Sequence, residues 1–332
     1  MKIVAPLSNA DSYEALAQAG ADEFFCGIVP YEWLKQYSNV LPLNRRETLI
    51  VSYNIGTYSS MRIIGKMVQR YRVPVKITFN SHYYLQEHYP LILDIIKRLM
   101  DMGFSTFIIG DPALVLYLRE KEIKCEFHIS SELEVINHVS MKFFNQFDIS
   151  RFIFPRKTTV DNMKSCIDNS SIQGMEYEAF IMNAFCLYSG SFCNSVHSDE
   201  FVSSCNIPSR IARCNDSQQR FAKVERFYNL KNRVKNLPPE HPVTACSEEQ
   251  TIKDSFGKDG CGVCKVQELR QIGITHLKVV GRGYSVKYLA NDIANLKQII
   301  EMSGHSVNNS DFSQTIKDSF IAKRCPDVCY YP

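Results

Sequence analysis

Apolar residues recur along this chain with two different periods. Short, nearly continuous apolar runs fall at 2–7 (KIVAPL), 23–28 (EFFCGI), 75–80 (VKITFN), 106–110 (TFIIG), 125–130 (CEFHIS), 151–155 (RFIFP), 177–182 (YEAFIM) and 276–281 (HLKVVG). Runs of this length predict parallel strands covered on both faces. Helical periods lie between them. In DSYEALAQAGA, Asp11 reads as the N-cap and Gly20 as the stop. In YPLILDIIKRLMDMGF, Leu91, Ile92, Ile95, Ile96 and Leu99 share one face and Gly103 follows. SELEVINHVSMKFFNQF and SVKYLANDIANLKQIIEMSG show the same period, the first placing Asn137 inside a helix. Strands that alternate with helices predict a parallel sheet. Eight such units without a Gly-rich dinucleotide fingerprint predict an α/β fold of the (β/α)8, TIM-like barrel type rather than an open doubly wound sheet.

Two stretches break the rhythm. Residues 29–58 are too long for an ordinary strand-to-helix loop and hold the only Trp and an Asn-Arg-Arg triplet. Loops after barrel strands carry sites, so this segment is a candidate lid or substrate loop. Residues 183–265 form a longer, Cys-rich insertion after the seventh strand. The expected organisation is a barrel over 1–303 that contains this insertion, then a short C-terminal tail over 304–332 with a C-x3-C pair.

Composition narrows the function classes. Hydrophobic residues make up 45% of 332, enough for a large core. The net charge of +3 balances 38 basic against 35 acidic residues. Such a balance does not point to bulk nucleic-acid binding. The run QQRFAKVERFYNLKNRVKN mixes Arg and Lys with Phe and Tyr, and reads either as a solvated amphipathic segment or as an RNA contact. No run approaches the roughly 18 apolar residues of a membrane span. The N-terminus reads as a strand entering a helix, not as a signal peptide. The expected compartment is the cytoplasm.

A reducing compartment changes the meaning of twelve cysteines. Cys26, Cys125 and Cys166 lie in or beside apolar runs and read as buried small hydrophobes. The other nine (Cys186, Cys193, Cys205, Cys214, Cys246, Cys261, Cys264, Cys325 and Cys329) lie in the second half, in polar sequence where packing gives little reason for a thiol. Four thiolates are the usual cage for a [4Fe–4S] cluster or a structural zinc. Cys261-x2-Cys264 and Cys325-x3-Cys329 have knuckle spacings, whereas Cys186-x6-Cys193 is too wide for one. Spacing alone leaves zinc and iron–sulfur both open. The sequence has no HExxH and no GxSxG.

YEAFIMNAFCLYSGSFC resembles the signature of the collagenase-like peptidase family, peptidase family U32, through Glu178, Phe180, Cys186, Ser189, Gly190 and Cys193. Asn183 stands where that family usually has Gly. CGVCKVQELRQIGITHLKVVGRGYSVKYLAND is similar to its second hallmark through Cys261, Gly273, Lys278, Gly281 and Arg282, with Val280 where a Glu is common. The N-terminal half follows the family's order of strands, with Arg156-Lys157 in place of a common Arg-Glu. The resemblance implies an iron–sulfur protein that hydroxylates a ring without molecular oxygen, with prephenate as co-substrate and oxygen source. Small-molecule, RNA and peptide acceptors are all open, and some members work with a homologous partner chain. It also implies cluster ligands Cys186, Cys193, Cys205 and Cys261, with Cys214 as the alternative third ligand. Cys246, Cys264, Cys325 and Cys329 would then form a second metal site or remain thiols.

Four further residues are candidate substrate contacts. Arg282, between Gly281 and Gly283, sits at the strand-to-helix corner that commonly binds anions. Arg156 is a second carboxylate clamp. Asn80 ends the third strand and His128 lies in the fifth, where it could equally be a core residue. Three readings follow: an iron–sulfur modifying enzyme, a peptidase with a structural metal, and a non-catalytic metal-stabilised partner in a modification complex.

Overall fold

Each of the eight apolar runs becomes a strand. The computed structural model describes residues 1–38, 41–45, 47, 53–186, 190, 193, 256–257, 259–304, 308–321 and 328–332. The strands are β1 (Lys2–Pro6), β2 (Glu23–Gly27), β3 (Val75–Phe79), β4 (Thr106–Ile109), β5 (Glu126–Ile129), β6 (Ile149–Ile153), β7 (Glu176–Met182) and β8 (His276–Val279). All neighbours pair in parallel, and β8 closes on β1 through Lys2↔His276, Ile3↔Leu277 and Val4↔Lys278. This is the expected (β/α)8 barrel. The register shifts twice, at Phe127/His128 and at Phe180/Met182.

The helices are α1 (Ser12–Gln18), α2 (Tyr31–Tyr37), α3 (Tyr58–Tyr71), α4 (Tyr89–Asp101), α5 (Pro112–Glu120), α6 (His138–Asn145), α7 (Val160–Ser170), α8 (Val266–Gln271), α9 (Val286–Met302) and α10 (Asn309–Phe320). The apolar stripe of α4 packs inward through Ile92, Ile95, Ile96 and Leu99, while Leu91 is half-buried. Asp11 does not cap α1; Asn9 Oδ1 accepts from Ser12 N (2.9 Å) and from its hydroxyl (2.6 Å) instead. The expected long helix over 131–147 is broken. Ser130 Oγ accepts from Glu132 N (3.2 Å) and starts a 3-10 turn, Glu134 turns left-handed at φ 50°, and Asn137 caps α6 by accepting from Ser140 N. Asn137 is therefore a cap residue, because a short polar side chain competes well for the first free amides of a helix.

The lower barrel interior is charged rather than apolar. Arg151 donates to Glu23, Glu176 and Glu178 at 2.7–3.1 Å and meets His276 Nε2 at 2.8 Å. The C-terminal tail returns to the barrel as well. Tyr330 N donates to Cys261 O (2.9 Å), Tyr330 Oη to Asn183 O (2.6 Å), and Tyr331 Oη to Phe180 O (2.5 Å). Both rings are buried, which accounts for Gly260 and Gly262 opposite them: a Cβ there would lie 3.2 and 2.7 Å from ring atoms. Among the described residues no helix is long and apolar enough to cross a membrane.

Candidate functional site

The loops at the C-terminal ends of the strands enclose a recess of about 780 Å³, counting the solvent at its opening. Phe25, Thr78, Phe180 and Lys278 line it from the strands. Arg45 enters from the loop after β2, Asn80 follows β3, Glu132 follows β5, Arg156 follows β6 and Arg282 follows β8. Cys186, Gly190 and Cys193 line it from the segment after β7. This is the end of a barrel where loops from many strands converge on one place.

Glu132 is the hub. Its Oε2 lies 3.0 Å from His82 Nε2 and 3.5 Å from Arg45 Nε, and its Oε1 lies 3.6 Å from Arg156 Nη1. Burial works against its charge, but the His82 hydrogen bond and the Arg156 and Arg45 guanidinium groups outweigh burial and hold the pKa at about 2. Gly190 rests on this carboxylate: a Cβ there would lie 2.7 Å from Oε2. Glycine at this signature position thus lets its own backbone approach Glu132. Arg156 also lies over the Phe180 ring, 4.3 Å from its centroid, and its Nε is buried with no acceptor among the described residues. A buried donor without an acceptor is costly unless a ligand supplies one.

The two sequence motifs meet beneath the recess. Lys278 Nζ donates to Glu178 Oε1 at 2.6 Å and lies 4.0 Å from the Phe25 ring centroid. Glu178 is fully buried and also accepts from Arg151 at 2.9 Å. Burial opposes its charge, yet Lys278 and Arg151 keep the carboxyl below the usual range. Burial pulls Lys278 below the ordinary ammonium value in spite of Glu178. Glu178 therefore fixes a cation at the floor of the recess.

Of the four substrate-contact candidates, Arg156, Asn80 and Arg282 line the recess; His128 is buried inside the barrel and is not among the lining residues. Burial, then the nearby Arg151 and Lys76 charges, holds the His128 imidazole well below its ordinary value, so it is neutral. The corner at Gly281–Gly283 is already engaged: Gly283 N donates to Ser8 Oγ (3.0 Å) and Tyr284 N to Gly281 O (2.9 Å). Arg282 turns toward the long loop, donating to Asn54 Oδ1 (2.7 Å) and to Arg45 O (3.0 Å). Arg45, Glu132 and His82 did not emerge from the sequence as site residues. The Asn-Arg-Arg triplet in an overlong loop was the available signal for Arg45.

The thiols divide. Cys186 and Cys193 share the recess. Cys261 is buried on the segment that bonds to the end of β7 through Asn183 N→Gly260 O (2.8 Å) and Gly262 N→Ile181 O (2.9 Å), and its backbone forms a parallel β-bridge with Cys329 of the tail. Cys205, Cys214, Cys246 and Cys325, and the basic run 218–236, lie outside the described residues. Among the described residues no three His, Cys, Asp or Glu side chains are grouped to hold a metal ion. The early cysteines match their expected role in part: Cys26 and Cys166 are buried and Cys125 is half-buried, and burial pushes the Cys26 and Cys125 thiols up to about 12.

The sequence profile of peptidase family U32 matches residues 8–325. The chain belongs to peptidase family U32. Among curated U32 relatives, tRNA hydroxylation protein P of Escherichia coli is 22% identical over 221 residues, 59% of this chain and 48% of its own length. tRNA hydroxylation protein P1 of Bacillus subtilis is 21% identical over 304 residues, 90% of this chain and 63% of its own. A collagenase of Porphyromonas gingivalis is 24% identical over 310 residues, 90% of this chain and 65% of its own. The chain thus spans about half to two thirds of the length of these relatives. A solved U32 peptidase, Mk0906, is 12% identical with a TM-score of 0.42 over 55% of this chain and 69% of that one. That likeness is too loose to bear on the site.

Proposed function

We propose that this U32 chain is an iron–sulfur modifying enzyme that works in the barrel mouth on an anionic co-substrate, inserting oxygen into an aromatic ring, nucleobase or peptide acceptor. One observation carries the reading: Cys186 and Cys193 line the same recess as Arg45, Arg156, Lys278 and Arg282. A thiolate-bound cluster and a carboxylate co-substrate are both anionic, and cations lining the recess favour both. The unsatisfied Arg156 Nε fits an incoming carboxylate oxygen. Names of the tRNA hydroxylation relatives support the oxygen chemistry.

Cys186, Cys193, Cys261 and a third thiol, Cys205 or Cys214, would hold the cluster. When bound, it would supply an iron site for a substrate oxygen or a path for electrons. The protein groups have separable tasks. Arg156 and Arg45 bind and orient a carboxylate around Glu132. Lys278, fixed by Glu178, holds positive charge at the floor. His82, with Nε2 3.0 Å from Glu132 Oε2, orients that carboxylate. The Phe25 and Phe180 rings exclude water beside Lys278 and Arg156.

A peptide substrate is the competing reading, favoured by the collagenase-named relative. The test is incubation of anaerobically purified protein with prephenate and, in turn, tRNA, ribosomal RNA and a collagen peptide, followed by mass spectrometry. Gain of one oxygen atom in an acceptor, dependent on prephenate, supports the proposal. Cleavage of the peptide with no oxygen gain in any acceptor would replace it with the peptidase reading.

A further inference from the structure

We propose that Arg45 is the guanidinium that meets the anionic end of the ligand in the mouth recess, and that Asn80 and Arg282 are positioning residues that act on the ligand through Arg45. The inference rests on the reading of the recess as an anion site and goes beyond it by dividing the labour among its cations.

Arg45 lies between α2 and α3, outside both helices. A loop side chain is placed only as well as its peptide is held, and ligand contacts need placement within a fraction of an ångström. Here the peptide groups of Arg45 are held on both sides. Its N–H donates to Asn80 Oδ1 at 3.1 Å, and its carbonyl accepts from Arg282 Nη2 at 3.0 Å. Arg282 is itself steadied by Asn54 Oδ1 at 2.7 Å. One residue earlier, Asn44 Nδ2 donates to Ile28 O at 3.0 Å, and Asn44 Oδ1 accepts from Asn80 N at 3.4 Å. The ends of β2, β3 and β8 therefore all grip the same short piece of loop.

Two close approaches complete the arrangement. A Cβ at Gly27 would lie 2.2 Å from Asn54 Oδ1, and a Cβ at Gly283, where φ is +90°, would lie 1.9 Å from the Tyr53 ring. The loop can lie on β2 and on the β8 corner only because both positions are glycine. Both terminal nitrogens of Arg282 donate to protein oxygens, so its fork is turned toward the loop rather than presented whole to a ligand. The result is a barrel-referenced mount for one guanidinium beside Glu132 and Arg156.

The experiment is a double-mutant cycle read by isothermal titration calorimetry on the full chain, with prephenate and inorganic sulfate as probes. Arg45→Ala should weaken prephenate binding about 10- to 100-fold, the loss expected for a charge-assisted hydrogen bond. Arg45→Lys, which keeps the charge and loses the fork, should recover part of it. Asn80→Ala and Arg282→Gln should each weaken binding in the wild-type background, yet change it by less than about twofold in the Arg45→Ala background. Circular dichroism melts of each variant establish that the fold is retained. Wild-type binding with Arg45→Ala and Arg45→Lys unchanged overturns this inference alone. Equal losses from Asn80→Ala and Arg282→Gln in both backgrounds also overturn it, because they would then touch the ligand directly. Failure of the wild-type protein to bind either probe overturns both the inference and the anion-site reading beneath it.

Discussion

Replacing Glu178 by Gln keeps the volume of the side chain and removes its charge. The carboxylate is fully buried and accepts from Lys278 Nζ at 2.6 Å and Arg151 Nη1 at 2.9 Å. Arg151 keeps Glu23 and Glu176 after the change, so the loss falls mainly on Lys278, whose ammonium is left buried without its carboxylate. Breaking a buried pair on one side costs about 3–5 kcal/mol, because desolvation of the remaining charge is no longer offset. No cavity term is added. The assay is urea unfolding followed by the fluorescence of Trp33, the single tryptophan, which is fully buried against Tyr37, Tyr84 and His88. Glu178→Gln should lower the midpoint by the equivalent of that cost. Adding Lys278→Met should restore roughly 2 kcal/mol or more, since the stranded charge is then gone. A Glu178→Gln protein within about 1 kcal/mol of wild type, or a double variant that shows the plain sum of the two single losses, refutes the assignment of Glu178 as the fixing group for Lys278.

Three further outcomes are expected. Glu132 has its folded pKa held at about 2 against an ordinary 4.5, so its contribution is complete above pH 4.5 and is lost as pH falls toward 2; this amounts to about 3 kcal/mol, and Glu132→Gln should flatten the acid limb of a stability–pH profile. Asp292 behaves in the opposite sense: burial, opposed by the Asn183 hydrogen bond and reinforced by Asp259, raises it to about 7, so stability should decline as pH climbs from 3.8 to 7, and Asp292→Asn should raise the melting temperature more at pH 8 than at pH 5. Removal of residues 330–332 deletes two buried rings that cover Cys261 and the end of β7, and should cost about 3–5 kcal/mol per ring or abolish folding; a truncated chain with wild-type stability and unchanged alkylation of Cys261 would contradict the role given to the tail.

The strands were legible because parallel barrel strands are buried on both faces and read as short apolar runs. The same reading hid the charged interior. Glu23, Arg151, Glu178, His276 and Lys278 all lie within or at the edges of those runs, and their pairings join positions as far apart as Arg151 and Glu23, a separation of 128 residues. No local pattern encodes such a contact. The apolar period over 131–147 predicts one long helix, but Ser130, Glu134 and Asn137 impose a turn and a new cap within it. At the site, Arg156 and the two cysteines of the signature were accessible from motif resemblance, and Lys278 from the second hallmark. Arg45 was not, because a loop side chain gains its place from Asn80 and Arg282, which are 35 and 237 residues away. Asn80 and Arg282 line the mouth, and their hydrogen bonds run to the loop. His128 followed the ambiguity of any histidine in a strand and lies in the core.

The most direct measurement is the iron and acid-labile sulfide content of the anaerobically purified chain beside its Cys186→Ala and Cys193→Ala variants. The account predicts a brown protein with about four irons and four sulfides, and loss of both from either variant. A colourless wild-type protein that carries neither, or variants that keep full iron and sulfide, would contradict an iron–sulfur centre at the mouth of this barrel.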